Sequence, residues 1–208
     1  TVGVRTDSNY SDLVLALPLV GSANDVSNQI NSGSTTKTIT VTNAVASSAQ
    51  SNFYGGSWYF DGTTDYITVT ASTELAFGAG DFTIETWWYQ PTAQQGYIYD
   101  FRSGSDNYAY LESDGNLYII DFSAEPVKAD TWNHLAIVRS GTTKKLYING
   151  VEKQSVTDSD DYSSSTACTL GGRFTQSSLL IGYLQDFRVY KGVAKYTENF
   201  IPASTNPD

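Results

Sequence analysis

The chain has 208 residues, a formal net charge of −10 and a pI near 4.4. A surface this acidic repels phosphate backbones and anionic lipid headgroups, which removes nucleic acid and membrane insertion from the expected interactions. Charged residues make up only 16% of the sequence, Met is absent, and Ser, Thr, Tyr, Gly and Asn are abundant, a composition typical of strands and turns.

Short apolar or alternating runs bounded by turn residues predict β-strands in the first part of the chain. These runs lie at residues 13–19, 37–42, 57–60 and 66–70. A polar loop at residues 22–34 separates the first two runs, and residues 61–65 form a tight turn between the last two.

The clearest predicted strand covers residues 81–90, with the sequence DFTIETWWYQ. Alternation places Glu85, Trp87 and Tyr89 on one face and Ile84 and Trp88 on the other. Both faces carry bulky side chains, so we expect neither face of this strand to lie simply in solvent.

The second half of the chain continues the same pattern. Predicted strands lie at residues 97–102, 107–112, 117–122, 132–140, 145–149, 151–156 and 179–190. Asp114-Gly115 and Asn149-Gly150 are strong hairpin signals, and a single helical turn is predicted near residues 193–196. Turn signals recur at the interval that is typical of sandwiches. We therefore predict an all-β, antiparallel β-sandwich that forms one domain over residues 1–208.

Five motifs then follow one another along the chain. They are WYFDG at 58–62, DFTIETW at 81–87, WNHLAIVR at 132–139, LYING at 146–150 and GYLQDFRVY at 182–190. Together they resemble the laminin G-like branch of the concanavalin A-like lectin/glucanase superfamily, over about residues 12–201. The resemblance implies a jelly roll of two curved antiparallel sheets.

The two ends of the chain carry a more particular resemblance. Residues 7–15 and 191–200 are similar to laminin G-like domains in virion proteins of marine bacteriophages, often tail-fibre or other exterior proteins. This resemblance implies a place on the virion surface or outside the cell. It also implies a glycan or host cell-surface polysaccharide as the partner, and contact with other virion proteins as an alternative.

The motif that would support catalysis is missing from the predicted strands. Glucanases with this fold use paired carboxylates in a Glu-x-Asp-x-x-Glu run, where alternation keeps the acid and the nucleophile on one face. The run at residues 84–89 has only Glu85, and Glu112 and Asp114 lie at a hairpin turn. His134, the single histidine, falls inside a strand motif. We predict a non-catalytic protein.

The sequence contains more of the residues that a sugar-binding site needs than of those that a catalytic site needs. Flat aromatic faces contact pyranose C–H groups, while Arg, Asn and Asp bond the hydroxyls. The candidate ligand-binding residues are Trp87, Tyr89, Arg102, Asn107, Tyr108, Tyr110 and Arg173. The competing interpretation is that these aromatic side chains only pack between sheets. We expect a lectin-like, carbohydrate-binding module, with a capsid-decoration or fibre component as the alternative.

Calcium is the cofactor that the resemblance implies, as a structural ion at the rim of the sandwich. Asp25 and Asp186 match acidic positions of the family pattern, and Ca²⁺ takes six to eight oxygen ligands. The acidic loop with Asp158, Asp160 and Asp161 is an independent candidate, with a solvated loop as its alternative reading.

Overall fold

A computed structural model describes residues 7–102 and 107–203. One short helix, Ser27–Ile30 (α1), and two 3-10 turns, Tyr10–Asp12 and Thr73–Leu75, accompany fifteen strands. The strands are Leu13–Leu17 (β1), Ile39–Thr42 (β2), Val45–Ser47 (β3), Ser57–Asp61 (β4), Tyr66–Val69 (β5), Phe82–Tyr89 (β6), Gly96–Asp100 (β7), Tyr108–Leu111 (β8), Asn116–Ile119 (β9), Glu125–Pro126 (β10), Trp132–Ser140 (β11), Thr143–Ile148 (β12), Val151–Thr157 (β13), Cys168–Leu170 (β14) and Ile181–Lys191 (β15).

These strands form two antiparallel sheets that pack face to face. Sheet 1 has the order β13-β12-β11-β6-β15-β4-β3, and β1 also pairs with β15. Sheet 2 has the order β10-β9-β8-β7-β14-β5-β2. The predicted all-β sandwich is therefore confirmed. Across the described residues, no helix is long and apolar enough to cross a membrane.

The core lies between the sheets because each strand turns its apolar residues inward. On β8 and β9, buried residues alternate with half-buried ones, so that Ala109 and Leu117 face the core. Strand β6 is buried on both faces, as its sequence predicts. Trp88 points into the core and is the largest fully buried side chain.

The two predicted hairpins are confirmed. Gly115 has a φ of +83° between β8 and β9, and Asn149 and Gly150 have φ values of +52° and +75° between β12 and β13. At Asn149-Gly150, positive φ at both central residues gives a turn whose twist matches that of the flanking strands. Between β8 and β9 only Gly115 has a positive φ, and its amide donates to the Glu112 carbonyl at 3.1 Å.

One expectation about local structure is wrong, and three short strands were not predicted. Residues 193–196 form no helical turn but run irregularly across the outer face of sheet 1, where Lys195 and Tyr196 bond to Glu85. The sequence pattern also misses β3, β10 and β14, which are only two or three residues long. Runs this short carry too little alternation to be recognised.

Candidate functional site

The predicted ligand-binding residues separate onto the two outer faces of the sandwich. Tyr108 and Tyr110 alternate with core residues on β8 and so point outward from sheet 2. Trp87 and Tyr89 alternate with core residues on β6 and point outward from sheet 1. The candidate residues therefore form two separate groups.

The group on sheet 2 is a compact set of three rings and one cation, which we call the tyrosine–arginine cluster: Tyr97, Arg102, Tyr108 and Tyr110. The ring of Tyr97 lies 4.5 Å from that of Tyr110 and 5.7 Å from that of Tyr108. The guanidinium carbon of Arg102 lies 4.3 Å from the centre of the Tyr108 ring and 5.1 Å from that of Tyr97. Two cation–π contacts join Arg102 to Tyr97 and Tyr108, and the contact between the Tyr97 and Tyr110 rings adds the fourth side chain.

A bulge in β7 explains why Tyr97 lies on this outer face, where it is 8% exposed and packs beneath the more exposed rings of Tyr108 and Tyr110. The register with β8 shifts between Tyr97 and Tyr99, so that Ile98 and Tyr99 are both fully buried while Tyr97 pairs with Tyr110. Tyr110 in turn pairs with Tyr118 on β9. A row of paired tyrosines therefore crosses β7, β8 and β9 on the outer face of sheet 2.

A buried carboxylate fixes the orientation of Arg102. Asp100 is fully buried and accepts two hydrogen bonds from Arg102 Nε, at 3.0 and 3.1 Å, and one from Nη2 at 2.9 Å. Burial alone lowers the pKa of Arg102, but the bond to Asp100 outweighs it and raises this pKa. The cation is therefore neutralised locally and held rigidly beside the rings.

The loop at residues 171–178 borders the cluster. The Phe174 amide donates to Asp100 at 2.8 Å, and the Tyr97 amide donates to the Ser178 carbonyl at 3.1 Å. Gly171 has a φ of +72°, and a Cβ there would lie 2.2 Å from the Phe60 ring, so this loop needs glycine. Arg173 is exposed on the loop, and its side chain has no hydrogen bond or ion pair within the described residues.

Asn107 lies next to the cluster but points into the protein. It is buried, its Oδ1 accepts a hydrogen bond from the Tyr99 hydroxyl at 3.3 Å, and its carbonyl accepts one from the Phe101 amide. The structure gives Asn107 a positioning role, and ligand contact by this residue stays a prediction.

Trp87 and Tyr89 on sheet 1 are each only 8% exposed. The Trp87 ring lies 5.0 Å from His134 and 6.4 Å from Phe53. Tyr89 lies 5.8 Å from Trp132, and its hydroxyl donates to Asp130. Both act as packing residues in this structure, and ligand contact by them stays a prediction.

On the same face, Glu85 is covered by the segment of residues 192–203, which we call the C-terminal segment. Lys195 Nζ donates to Glu85 at 2.8 Å and to the Tyr190 hydroxyl at 2.9 Å, and the Tyr196 hydroxyl donates to Glu85 at 2.7 Å. Tyr196 stacks on Phe200 at 3.5 Å, with the rings nearly parallel. No pattern in the sequence indicates that this segment returns to Glu85.

The covered groups have displaced pKa values. Burial alone raises the pKa of Glu85, but Lys195 and other neighbouring charges outweigh it and lower the value to about 2. Burial, reinforced by Lys195 and Arg188, lowers the pKa of His134 to about 4. His134 is therefore neutral at pH 7, although its Nε2 lies 3.7 Å from Glu85. This arrangement places Glu85 in a buried ion pair with Lys195.

The two aspartates predicted to bind calcium lie on either side of β1. Asp25 Oδ1 accepts from the amides of Ala16 and Ser27, and Oδ2 accepts from the Ser27 hydroxyl and the Lys37 amide, all at 2.8 to 3.1 Å. Asp186 lies in a bulge of β15 and pairs with Arg188 at 2.8 Å.

These contacts do not fit a calcium site. Four donors surround the Asp25 carboxylate, at the positions that a cation would need, and Asp186 already has a cationic partner. In residues 7–102 and 107–203, no group of three or more His, Cys, Asp and Glu could hold a metal ion. Calcium binding therefore stays a prediction from the sequence resemblance alone.

The comparison with protein families agrees with this architecture. Residues 61–198, more than half of the chain, match a laminin G family of the concanavalin A-like lectin/glucanases superfamily. The chain belongs to this family. No curated protein matches the sequence.

Solved structures with the same fold include binding domains of a mosquitocidal protein and of botulinum neurotoxins. The binding domain of paraclostridial mosquitocidal protein 1 has a TM-score of 0.66 at 16% identity, over 89% of this chain and 50% of that one. The binding domain of botulinum neurotoxin DC in complex with SialylT has a TM-score of 0.61 at 13% identity, over 89% and 49%. This chain thus spans about half the length of those domains.

Domain 4 of AbnA, an extracellular arabinanase from Geobacillus stearothermophilus, is matched along almost its whole length. That structure, in complex with arabinotriose, has a TM-score of 0.62 at 16% identity, over 88% of this chain and 93% of that chain. At identities this low, the structural similarity establishes only that the fold is shared, so the function has to be argued from the site.

Proposed function

We propose that the protein is a non-catalytic carbohydrate-binding module whose ligand binds on the tyrosine–arginine cluster. The observation that carries this proposal is the fixed arrangement of Tyr97, Tyr108 and Tyr110 around an arginine on the outer face of sheet 2. AbnA domain 4, a module of the same fold and similar extent, was solved with arabinotriose, which supports a sugar as the ligand class.

The side chains of the cluster suit a neutral sugar. Tyr108 and Tyr110 are half-buried, so each keeps part of its ring on the surface for contact with sugar C–H groups. Asp100 cancels the charge of Arg102, which removes the main attraction for an anion at the centre of the cluster. Gln95 bonds to the Tyr110 hydroxyl, and the exposed Arg173 adds donors at the margin.

The non-catalytic part of the proposal rests on what surrounds Glu85. A general acid or a nucleophile has to reach the glycosidic bond. Glu85 is instead 5% exposed, beneath the C-terminal segment and paired with Lys195.

The test is calorimetric titration of the chain with arabinotriose, alongside a glycan array that covers neutral bacterial surface polysaccharides. We expect micromolar-to-millimolar binding that weakens about tenfold in Tyr108→Ala, which corresponds to about 1.4 kcal/mol. Tyr10→Ala is the matched control, because Tyr10 is 54% exposed and lies outside the cluster. Silence of the whole array, or equal losses in both variants, would refute the proposal.

We further propose that the module acts on the exterior of a bacteriophage virion, where it binds host cell-surface polysaccharide. The support is the resemblance of residues 7–15 and 191–200 to domains of such proteins. Mass spectrometry of purified particles tests this location. Tight binding to another particle protein without any glycan binding would favour the alternative of a structural virion component.

A further inference from the structure

A second groove lies away from the tyrosine–arginine cluster, at the end of the sandwich where β11 begins and β12 turns into β13. Its volume is about 460 Å³. Its apolar lining includes Val127, Ile148 and Val151, and the partly buried Trp132 lies beside them. The groove shares no residue with the cluster on sheet 2.

The cations are what distinguish this groove. Lys128 and Lys153 line it, and no acidic side chain does. Lys128 and Arg173 are the two cationic side chains of the described residues that have neither a hydrogen bond nor an ion pair. The chain has a net charge of −10, so a groove lined by an unpaired lysine and by no acidic side chain differs in charge from the molecule as a whole.

Lys153 also remains available to a ligand. Its contact with Glu125 is 3.3 Å long, and 35% of its side chain is exposed. An ion pair in that position is screened by solvent and contributes little, so the ammonium group can be shared with a second anion. Repulsion from the other acidic residues is screened beyond about 8 Å at physiological salt.

Trp132 supplies the remaining chemistry. Its indole N–H is buried and has no hydrogen-bond partner among the described residues. Because this N–H has no partner, its environment depends on the packing of the ring, so its signal reports a ligand that contacts the ring. The indole ring offers a flat apolar face for a sugar ring. Thr131 and Asn149 add polar groups to the lining.

We propose that this groove is a second binding site, which takes a carboxylate-bearing sugar such as a uronic acid residue. The carboxylate lies between Lys128 and Lys153, and the sugar ring packs against Trp132. The module then binds two features of a glycan at separate places: neutral sugar rings on sheet 2 and a single uronic acid unit at the groove.

The experiment titrates the ¹⁵N-labelled chain with tri-galacturonic acid and with its fully methyl-esterified, neutral form. The chain has four tryptophans, so the spectrum contains four indole signals, and Trp132→Phe identifies the relevant one. We expect this signal to shift saturably with the acid and to shift at least tenfold less strongly, at equal concentration, with the ester.

Two variants remove the same charge at different places. Lys128→Gln should weaken binding of the acid at least tenfold, whereas Lys191→Gln, at the end of β15 and outside both sites, should leave it unchanged. An unmoved Trp132 signal, equal binding of acid and ester, or equal losses in both variants would overturn the proposal. Failure of arabinotriose to bind the cluster on sheet 2 would not affect this outcome, so the two sites are tested separately.

Discussion

The outer faces of the two sheets are built from similar residues but differ in how far these residues are exposed to solvent. Sheet 1 presents Glu85, Trp87 and Tyr89 from β6, and all three are buried. Sheet 2 presents Tyr108 and Tyr110 from β8, and both keep part of their surface in solvent. Strand alternation supplies aromatic and polar side chains to both faces alike. Whether such a face can bind a ligand depends on which distant segment covers it.

The C-terminal segment covers sheet 1 through three kinds of contact. Lys195 pairs with Glu85, the stacked rings of Tyr196 and Phe200 pack on Tyr147, and the Phe200 amide donates to the Gly150 carbonyl at 2.8 Å. The predictions below test whether these contacts are what separates the two faces.

The largest expected effect comes from removing the buried charge of Glu85. Glu85→Ala leaves Lys195, whose side chain is 7% exposed, without its main partner, and we expect the free energy of unfolding to fall by about 3 to 5 kcal/mol. Urea denaturation measures this change.

Glu198→Ala is the matched control, because Glu198 is exposed on the same segment and should change stability by less than about 0.5 kcal/mol. Glu85→Gln keeps the shape and removes the charge, so it should fall between the two. Equal stability of all three variants would mean that the ion pair does not hold the segment in place.

The second prediction concerns the close approach of the segment to the β12–β13 turn. A Cβ at Gly150 would lie 1.9 Å from the Phe200 carbonyl oxygen, whereas a Cβ at Gly141 meets nothing within 4 Å. Both glycines have positive φ, so an alanine costs about 1 kcal/mol of backbone strain at either position.

Only Gly150→Ala should also displace the C-terminal segment. We expect it to lose about 2 kcal/mol more than Gly141→Ala in thermal or urea unfolding, and to expose the segment to proteolysis. A Gly150→Ala protein as stable and as protease-resistant as the Gly141→Ala protein would show that the contact with Phe200 is dispensable.

Acid should weaken the covered face specifically. The pKa of His134 is about 4 in the folded chain and 6.5 ordinarily, so on acidification the unfolded chain takes up this proton first. Stability is therefore complete above about pH 6.5 and falls toward pH 4, with a slope of at most about 1.4 kcal/mol per pH unit. Glu85, with a pKa lowered from 4.5 to about 2, adds a further loss below pH 4.5.

Unfolding measured between pH 5 and 7 isolates the histidine, because His134 is the only one in the chain. His134→Gln should flatten the slope in that range. An unchanged slope in the variant would contradict the role assigned to His134.

Much of the sandwich follows from local sequence. Alternation at residues 81–90 predicts β6 to within one residue at each end, and the Asn149-Gly150 hairpin follows from the φ values that those residues tolerate. The order of strands in the sheets does not follow, because β14 inserts between β5 and β7 from far along the chain. Such long-range pairing leaves no mark in a three-residue strand.

The candidate site was predictable only in part. Arg102, Tyr108 and Tyr110 lie close in sequence, and the structure brings them together. Tyr97 was missed as their partner because strict alternation would place it on the same face as Tyr99, in the core, and only the bulge in β7 accounts for its position on the outer face. A charged Glu85 in an apolar strand does signal a buried partner, but nothing local identifies that partner as Lys195.

The smallest expected effect concerns calcium, which the resemblance implied for Asp25 and Asp186. Asp25 already accepts four hydrogen bonds that join β1 to the α1 region, and Asp186 is paired with Arg188 beside the covered face. Ca²⁺ would have to displace these donors before it gained any ligand, so we expect the melting temperature to be the same in EDTA and in millimolar CaCl₂. A calcium-dependent rise that Asp25→Asn abolishes would restore the family-based expectation, and it would show that the loop bearing Asp25 rearranges around the ion. Burial raises the pKa of Asp186, which disfavours an ionised carboxylate without a cationic partner at that position.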